Sequence, residues 1–217
     1  LDTQVETLEQ WIAEGRNEVS RLAADPDLAA AIARLVRGGA DGNRIIEDLL
    51  HEAGRIGITA AHVIDAQGVI LASSMAGRAG RGATPDFFSH LAPALSGQPV
   101  FVRPRHGGGA QPGHAWVAAP VRAGNGRIIA VIALGSPAEQ RFADLFKVAR
   151  PGETGESLAF DAEGWLLSES RHAEALRQRY LGGGMGYGEA KTKLAEVVAR
   201  VLDPARERRL QLEKQAD

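Results

Sequence analysis

Between residues 62 and 74 the chain reads His-Val-Ile-Asp-Ala-Gln-Gly-Val-Ile-Leu-Ala-Ser-Ser. Apolar residues flank a tetrapeptide in which Asp65 begins a turn and Gly68 supplies the positive φ that closes it. This pattern predicts a β-hairpin. A second copy occupies residues 158–170, with Asp161 and Gly164 in the places of Asp65 and Gly68. Because the flanking strands match as well as the turn, we interpret the two stretches as copies of one supersecondary unit with equivalent turn glycines.

The composition excludes several classes of protein. The 217 residues are 44% hydrophobic and 24% charged with a formal net charge of -2, so nothing in the overall charge favours nucleic acid. The absence of cysteine excludes disulfides, thiolate metal sites and cysteine nucleophiles. No apolar run reaches the roughly 18 residues of a membrane span. The chain opens inside a helical pattern without a signal peptide, which is typical of a fragment cut from a longer protein.

The first helix carries a heptad pattern about three heptads long. Gly15 fills the one place that is not a large apolar residue. Two interpretations remain open, because such a helix either packs on its own domain or pairs with its twin in a parallel homodimer. The large apolar residues of this pattern are Leu1, Val5, Leu8, Ile12, Val19 and Leu22.

The remaining pattern predicts an α+β protein. Asp25-Pro26 ends the first helix and begins a second, and a third helix is expected to end at Gly54. Residues 58–150 then read as two strands, one helix at 85–96, three strands and another helix, which indicates a five-stranded antiparallel sheet over 58–134. Pro104 suits an edge strand. We therefore divide the chain into a helical region at 1–57, a sheet module at 58–150 and a partial second module with C-terminal helices at 151–217.

Several of these segments, in this order, resemble the double Cache extracytoplasmic sensor domains of bacterial transmembrane receptors. The segments lie at 21–26, 63–68, 87–97, 118–128 and 152–164, and the resemblance spans about residues 1 to 172. It implies PAS-like modules behind a long N-terminal helix. It also implies small-molecule sensing outside the cytoplasm by part of a kinase, cyclase or chemoreceptor, with the membrane reached only through segments outside this fragment. Amino-acid-binding members carry an Arg before the aromatic pair, where this chain has Pro85.

A binding module is favoured over an enzyme, because no nucleophile with an orienting base and no phosphate-loop or zinc-protease motif is recognisable. The alternative to a sensor is a ligand-free module for dimerisation and signal coupling, in which the sheets are structural. No cofactor is implied. His106 and His114 flank a glycine-rich loop, but a metal pair needs a third ligand, and we predict no metal site.

A ligand pocket is expected between the sheet of the first module and the helix at 85–96. We predict that Phe87, Arg103, Trp116 and Arg122 line it. Arg103 and Arg122 suit a carboxylate or phosphate, although arginines on an edge strand also serve solubility. Trp116 is either core or pocket wall, and Phe87 is either core or pocket lining.

Overall fold

The structure is a computed structural model that describes residues 2–104 and 113–138, with side chains from residue 6 onward. The predictions for the second hairpin, for Gly164 and for the partial second module lie outside the described residues. So do the glycine-rich loop with His106 and most of the helix predicted to follow the sheet.

Three helices open the chain, α1 (Asp2–Ala23), α2 (Pro26–Val36) and α3 (Gly42–Ala53). As predicted, Asp25 begins α2, since its carboxylate accepts hydrogen bonds from two backbone N–H groups at 2.8 and 2.9 Å. As predicted, α3 ends at Gly54, which is its C-cap. The chain continues through a 3₁₀ turn and stops at Gly57, the residue with a left-handed φ of 78°. None of the described helices is both long and apolar enough to cross a bilayer.

The five predicted strands form one antiparallel sheet, which confirms the α+β prediction. They are β1 (Ala60–Asp65), β2 (Ile70–Ser73), β3 (Val100–Val102), β4 (His114–Arg122) and β5 (Ile128–Pro137). Their order is β2-β1-β5-β4-β3, so the first and fourth strands each border the last. The strand that ends before Pro104 lies at an edge, as that proline predicts.

The first hairpin has the predicted turn. The Asp65 carboxylate accepts hydrogen bonds from the N–H groups of Gln67 at 2.9 Å and Val69 at 2.8 Å. Gly68 has a φ of 86°, in the left-handed region that favours glycine. The Asp and the Gly that identified the hairpin therefore each perform the role expected of them.

The helix predicted at 85–96 is two short helices, α4 (Pro85–His90) and α5 (Ala92–Leu95). The break follows from Pro93, which lacks an N–H to continue the hydrogen-bond ladder of α4. Thr84 caps α4 by accepting a hydrogen bond from the N–H of Phe87 at 3.4 Å. This cap fixes the start of α4 and thereby the position of Phe87 and Phe88 in its first turns.

The sheet has two covered faces. The helix face packs on α1, α2 and α3, and the opposite face, which we call the outer face, packs on α4 and α5. The helices and the sheet share a core, and Leu1–Pro104 with His114–Pro137 form one compact unit. The separation of a helical region at 1–57 from a module at 58–150 stays a prediction. The outer face buries Ala60, Ile64, Ile70, Leu91, Ala94, Val102, Trp116, Ala118, Val131 and Ala133.

The second half of the heptad stripe packs on the sheet of its own domain. Val19 and Leu22 are buried in the helix-face core. Gly15 lies against β4, where an added Cβ would sit 3.1 Å from a methyl carbon of Val117. The glycine position of the heptad pattern therefore faces a strand of the same chain.

Replacing Gly15 with Leu should lower the free energy of unfolding by about 1–2 kcal/mol, because overpacking against Val117 outweighs the gain of about 1 kcal/mol in helix propensity. Chemical denaturation measures the change. Gly54→Ala is the control, since Gly54 has ordinary helical dihedrals and open space where its Cβ would be. An unfolding free energy of Gly15→Leu that equals or exceeds that of the wild type would contradict this packing.

Candidate functional site

Four rings meet on the outer face of the sheet, and we call them the aromatic cluster: His62, Phe87, His114 and Trp116. The His62 and Trp116 rings stack, with centroids 4.7 Å apart and planes 19° apart. Phe87 and His114 lie against Trp116 at centroid distances of 5.4 and 5.5 Å. Three elements, β1, α4 and β4, thus bring together side chains far apart in the sequence.

Small residues on the sheet make room for the rings. Trp116 lies directly over Gly135 of β5, where an added Cβ would sit 2.9 Å from the indole ring. The neighbouring residues Ala60, Ala118 and Ala133 share this face of the sheet. Because any larger residue at 135 would displace the indole, the position of Trp116 depends on glycine there.

His62 is a polar side chain in an apolar setting. It is 3% exposed, and within the described residues its Nδ1 makes no hydrogen bond. A buried polar atom without a partner costs about 1–3 kcal/mol, so an aliphatic residue would be the more stable choice at this place in β1. An unsatisfied ring nitrogen among aromatic walls is a feature that a bound molecule would relieve.

The surroundings of His62 keep its ring neutral. Burial, which penalises the charged form, lowers its pKa to about 4, and the positive charge of Arg78 adds to the effect. The carbonyl of Ala61 favours the protonated ring and offsets only part of this shift. Burial also lowers the pKa of His114. Both imidazoles of the aromatic cluster therefore favour the uncharged form.

Arg78 reaches this region from the loop between β2 and α4. That loop folds back along β2, and its backbone is held by hydrogen bonds of Ile70 N–H to Arg81 O at 2.9 Å and Gly80 N–H to Ile70 O at 2.8 Å. Another joins Ala83 N–H to Gly68 O at 2.7 Å. The loop that carries Arg78 is consequently fixed to the edge of the sheet at several points.

Comparisons with known proteins agree with this architecture. No protein-family model and no curated protein matches the sequence. The ligand-binding domain of the Campylobacter jejuni chemoreceptor Tlp3, in complex with 4-methylisoleucine, matches with a TM-score of 0.56 at 15% identity, covering 85% of this chain and 69% of that one. The Pseudomonas fluorescens chemoreceptor CtaA domain, in complex with L-alanine, matches at 0.52 and 14%, covering 85% and 76%. The periplasmic domain of Vibrio cholerae LuxQ matches at 0.51 and 15%, covering 77% and 75%.

At these identities the likeness concerns the fold alone. A five-stranded antiparallel sheet behind a long N-terminal helix is the architecture that the sequence predicted. The chain has a Cache, PAS-like fold. The aromatic cluster lies on the face of this Cache sheet that is turned away from α1. That face is also where the sequence placed its pocket, between the sheet and the helices at 85–96.

The structure brings together two of the four residues that the sequence assigned to the pocket of the Cache module. Phe87 and Trp116 touch, but Arg103 is exposed just beyond β3, next to the strand pair Val102 and Trp116. Arg122 is at the other end of β4, roughly 20 Å from Trp116 at the usual rise per residue of a strand. Whether any of the four contacts a ligand stays a prediction.

Arg122 belongs to different surroundings. Its guanidinium donates to the carbonyl of Gly126 at 3.0 Å and packs on Gly97. It lines an open, largely apolar groove of about 850 Å³ between the end of α1, the alanine-rich face of α2 and the end of β4. Arg122 therefore lies in a different region from Trp116, and its predicted contact with a ligand stays a prediction.

Sequence reasoning missed His62 and considered His114 only as a residue beside the glycine-rich loop. A signal was present, since Ala60, His62 and Ile64 alternate onto one face of a strand that is otherwise apolar up to its last residue, Asp65. In the described residues no group of three His, Asp or Glu side chains is arranged to hold a metal ion. The pairing of His114 with His106 lies outside the described residues.

Proposed function

We propose that this chain is the small-molecule-sensing part of a bacterial transmembrane signalling receptor and works outside the cytoplasm. The observation that carries the proposal is the aromatic cluster with its unsatisfied His62 on the outer face of a Cache, PAS-like sheet. The rings of the aromatic cluster, which lie over small residues, provide apolar walls for a ligand, and the sheet holds these rings rigidly. The Tlp3 and CtaA domains of similar fold were solved with 4-methylisoleucine and L-alanine bound.

The proposed site consists of His62, Phe87, His114 and Trp116, with Arg103 at its rim. In this interpretation the chain binds and does not catalyse, and it needs no cofactor. A ligand would favour one of two states of the module, and α1, which packs on β4, would transmit the difference. Pro85 in the place of the family's Arg argues that recognition differs from that of amino-acid-binding members.

A thermal-shift screen across small acids, amines and nucleobases tests the proposal. A ligand at a hundredfold its dissociation constant adds about 2.7 kcal/mol of stability, which such a scan detects. We expect at least one compound to stabilise the wild type and to lose much of its effect in Arg103→Ala, whose side chain is exposed and whose fold is kept. Arg122→Ala is the matched control, since Arg122 lies at the far end of β4 and its substitution should leave the shift unchanged.

A ligand-free coupling module remains the second candidate, and the tight filling of the outer face favours it. Ile64, Ile70 and Leu91 are fully buried there beneath α4 and α5. If none of the compounds stabilises the protein, the coupling function is supported and the sensor function is rejected.

We also propose that the first two heptads of α1 pair in a parallel homodimer in the full-length receptor. Val19 and Leu22 are buried against the sheet, but Leu8 and Ile12 are only half-buried. The apolar stripe of α1 therefore extends beyond the part of the helix that packs in the core of the domain. Tethering in a membrane raises the effective concentration, which lets a short seam pair.

Single cysteines report this pairing cleanly because the chain has none of its own. In the membrane-bound receptor we expect strong disulfide crosslinks at Leu8→Cys and Ile12→Cys. Weak ones are expected at the exposed positions Glu6→Cys and Gln10→Cys, and none at the buried Val19→Cys. Crosslinking that is equal around the helix, or absent at Leu8 and Ile12, would show that α1 does not pair in this way.

A further inference from the structure

His62 is the feature of the outer face that packing does not explain. Its ring is stacked on Trp116 and lies 6.4 Å from Phe87 between centroids, so aromatic rings lie on two sides of it. Its Nδ1 is buried and has no partner in the described part of the chain. This atom is poised to exchange a hydrogen bond or a proton with whatever occupies the site.

Among the described residues, the two ionisable side chains that act on His62 are basic. Arg78 from the loop after β2 and His114 from β4 both act on it. The neighbouring strands β2 and β5 carry no ionisable side chain, as their sequences show. On α4, which contributes Phe87, Asp86 is exposed and His90 Nδ1 bonds back to the Asp86 carbonyl at 2.8 Å. Among the described residues, no carboxylate is one of the groups that shift the pKa of His62.

We infer that the site takes an oxyanion with an apolar body, such as a carboxylate, and that His62 takes up a proton when this anion binds. The inference rests on the proposed sensing function. Arg78 supplies a positive charge, the imidazole offers a second one once it is protonated, and Trp116 with Phe87 offers walls for an apolar or flat body.

The coupling between proton uptake and anion binding follows from the protonation state of His62 in the ligand-free protein. Burial holds the pKa of His62 near 4, so the ring is neutral around pH 7. An anion against the ring favours the charged form and raises that pKa, so the complex binds more protons than the free protein. Affinity then increases as the pH falls, by up to about tenfold per pH unit in the interval between the two pKa values.

The probes are propanoate, hexanoate, benzoate and phenylacetate, each compared with its primary amide, and benzenesulfonate, whose charge is constant over the range used. Thermal shifts measured at about pH 7.5 and about pH 5.5 show whether the affinity for the anion increases as the pH falls. Calorimetry in two buffers of different ionisation enthalpy gives the number of protons taken up. We expect stabilisation by one or more acids and not by their amides, stronger binding at the lower pH, and uptake of up to one proton.

His62→Asn keeps a hydrogen-bonding side chain without a titrating group and should abolish the pH dependence and the proton uptake. Arg78→Gln should weaken binding of the anion at both pH values. If His62→Asn does not fold, the test is calorimetry of the wild type with benzenesulfonate. Because this anion does not titrate, proton uptake on its binding supports the inference and lack of uptake contradicts it.

Anion binding without proton uptake, or equal stabilisation by acids and amides, would overturn the inference while the sensing function stands. Lack of stabilisation by every anion of the panel would also overturn it and would favour a buried water at Nδ1. In that case stabilisation by an amine or a nucleobase would still support sensing, whereas no shift with any compound would reject both.

Discussion

Trp116→Ala should lower the free energy of unfolding by about 3–5 kcal/mol, the range for removal of a large buried aromatic side chain. The indole is 8% exposed and is packed between the His62 ring and the backbone of Gly135. The sheet residues around the indole, Gly135, Ala60 and Ala118, are too small to fill the space. Urea denaturation monitored by circular dichroism measures the loss, with the slope of the transition checked for two-state behaviour.

Two further variants serve as controls for the loss of unfolding free energy in Trp116→Ala. Trp116→Phe keeps a ring over Gly135 and should cost clearly less. Trp11→Ala removes a second tryptophan that is only half-buried and meets Phe101 edge-on at 5.8 Å. We expect a smaller loss there than at Trp116. Equal losses at the two tryptophans would mean that Trp116 is not the centre of the outer face.

Local patterns predicted most of the fold. The Asp65 and Gly68 turn, the cap at Asp25 and the strand from His114 to Arg122 all depend on residues close in sequence, whose preferences are backbone properties. The misses are local as well. Pro93 divides the predicted helix at 85–96, and β5 runs three residues beyond its predicted end at Leu134 because it pairs with β4 as far as Pro137.

The site was harder to predict, because it depends on which strands become neighbours. Arg122 and Trp116 share a strand and both suit a ligand, yet the length of β4 separates them. His62 and Trp116 lie on strands that do not pair with each other, since β5 runs between them, and their rings meet only because Gly135 and Ala133 are small. Gly15 shows the same limit, since the heptad pattern left open whether its neighbour would be a partner helix or, as the structure shows, Val117 of the same chain.

Acidification should destabilise the protein through His62, by about 3 kcal/mol between neutral pH and pH 4. The pKa of His62 is about 4 in the folded state against 6.5 without its surroundings, and each unit of difference corresponds to about 1.4 kcal/mol. Because the unfolded chain binds the proton more tightly, this stabilisation is fully present above pH 6.5. It is lost as the pH falls toward 4, below which it changes no further.

His62→Phe isolates the effect, because it keeps an aromatic ring against Trp116 and removes the titration. Unfolding free energies of both proteins are measured by urea denaturation across the same pH range, and their difference is plotted. Carboxylates and His114 titrate in both proteins and therefore cancel in that difference. The wild type should lose stability relative to His62→Phe as the pH falls from 6.5 to 4. Parallel curves would mean that His62 is solvated in the folded state, and the proposed neutral, buried imidazole would then be wrong.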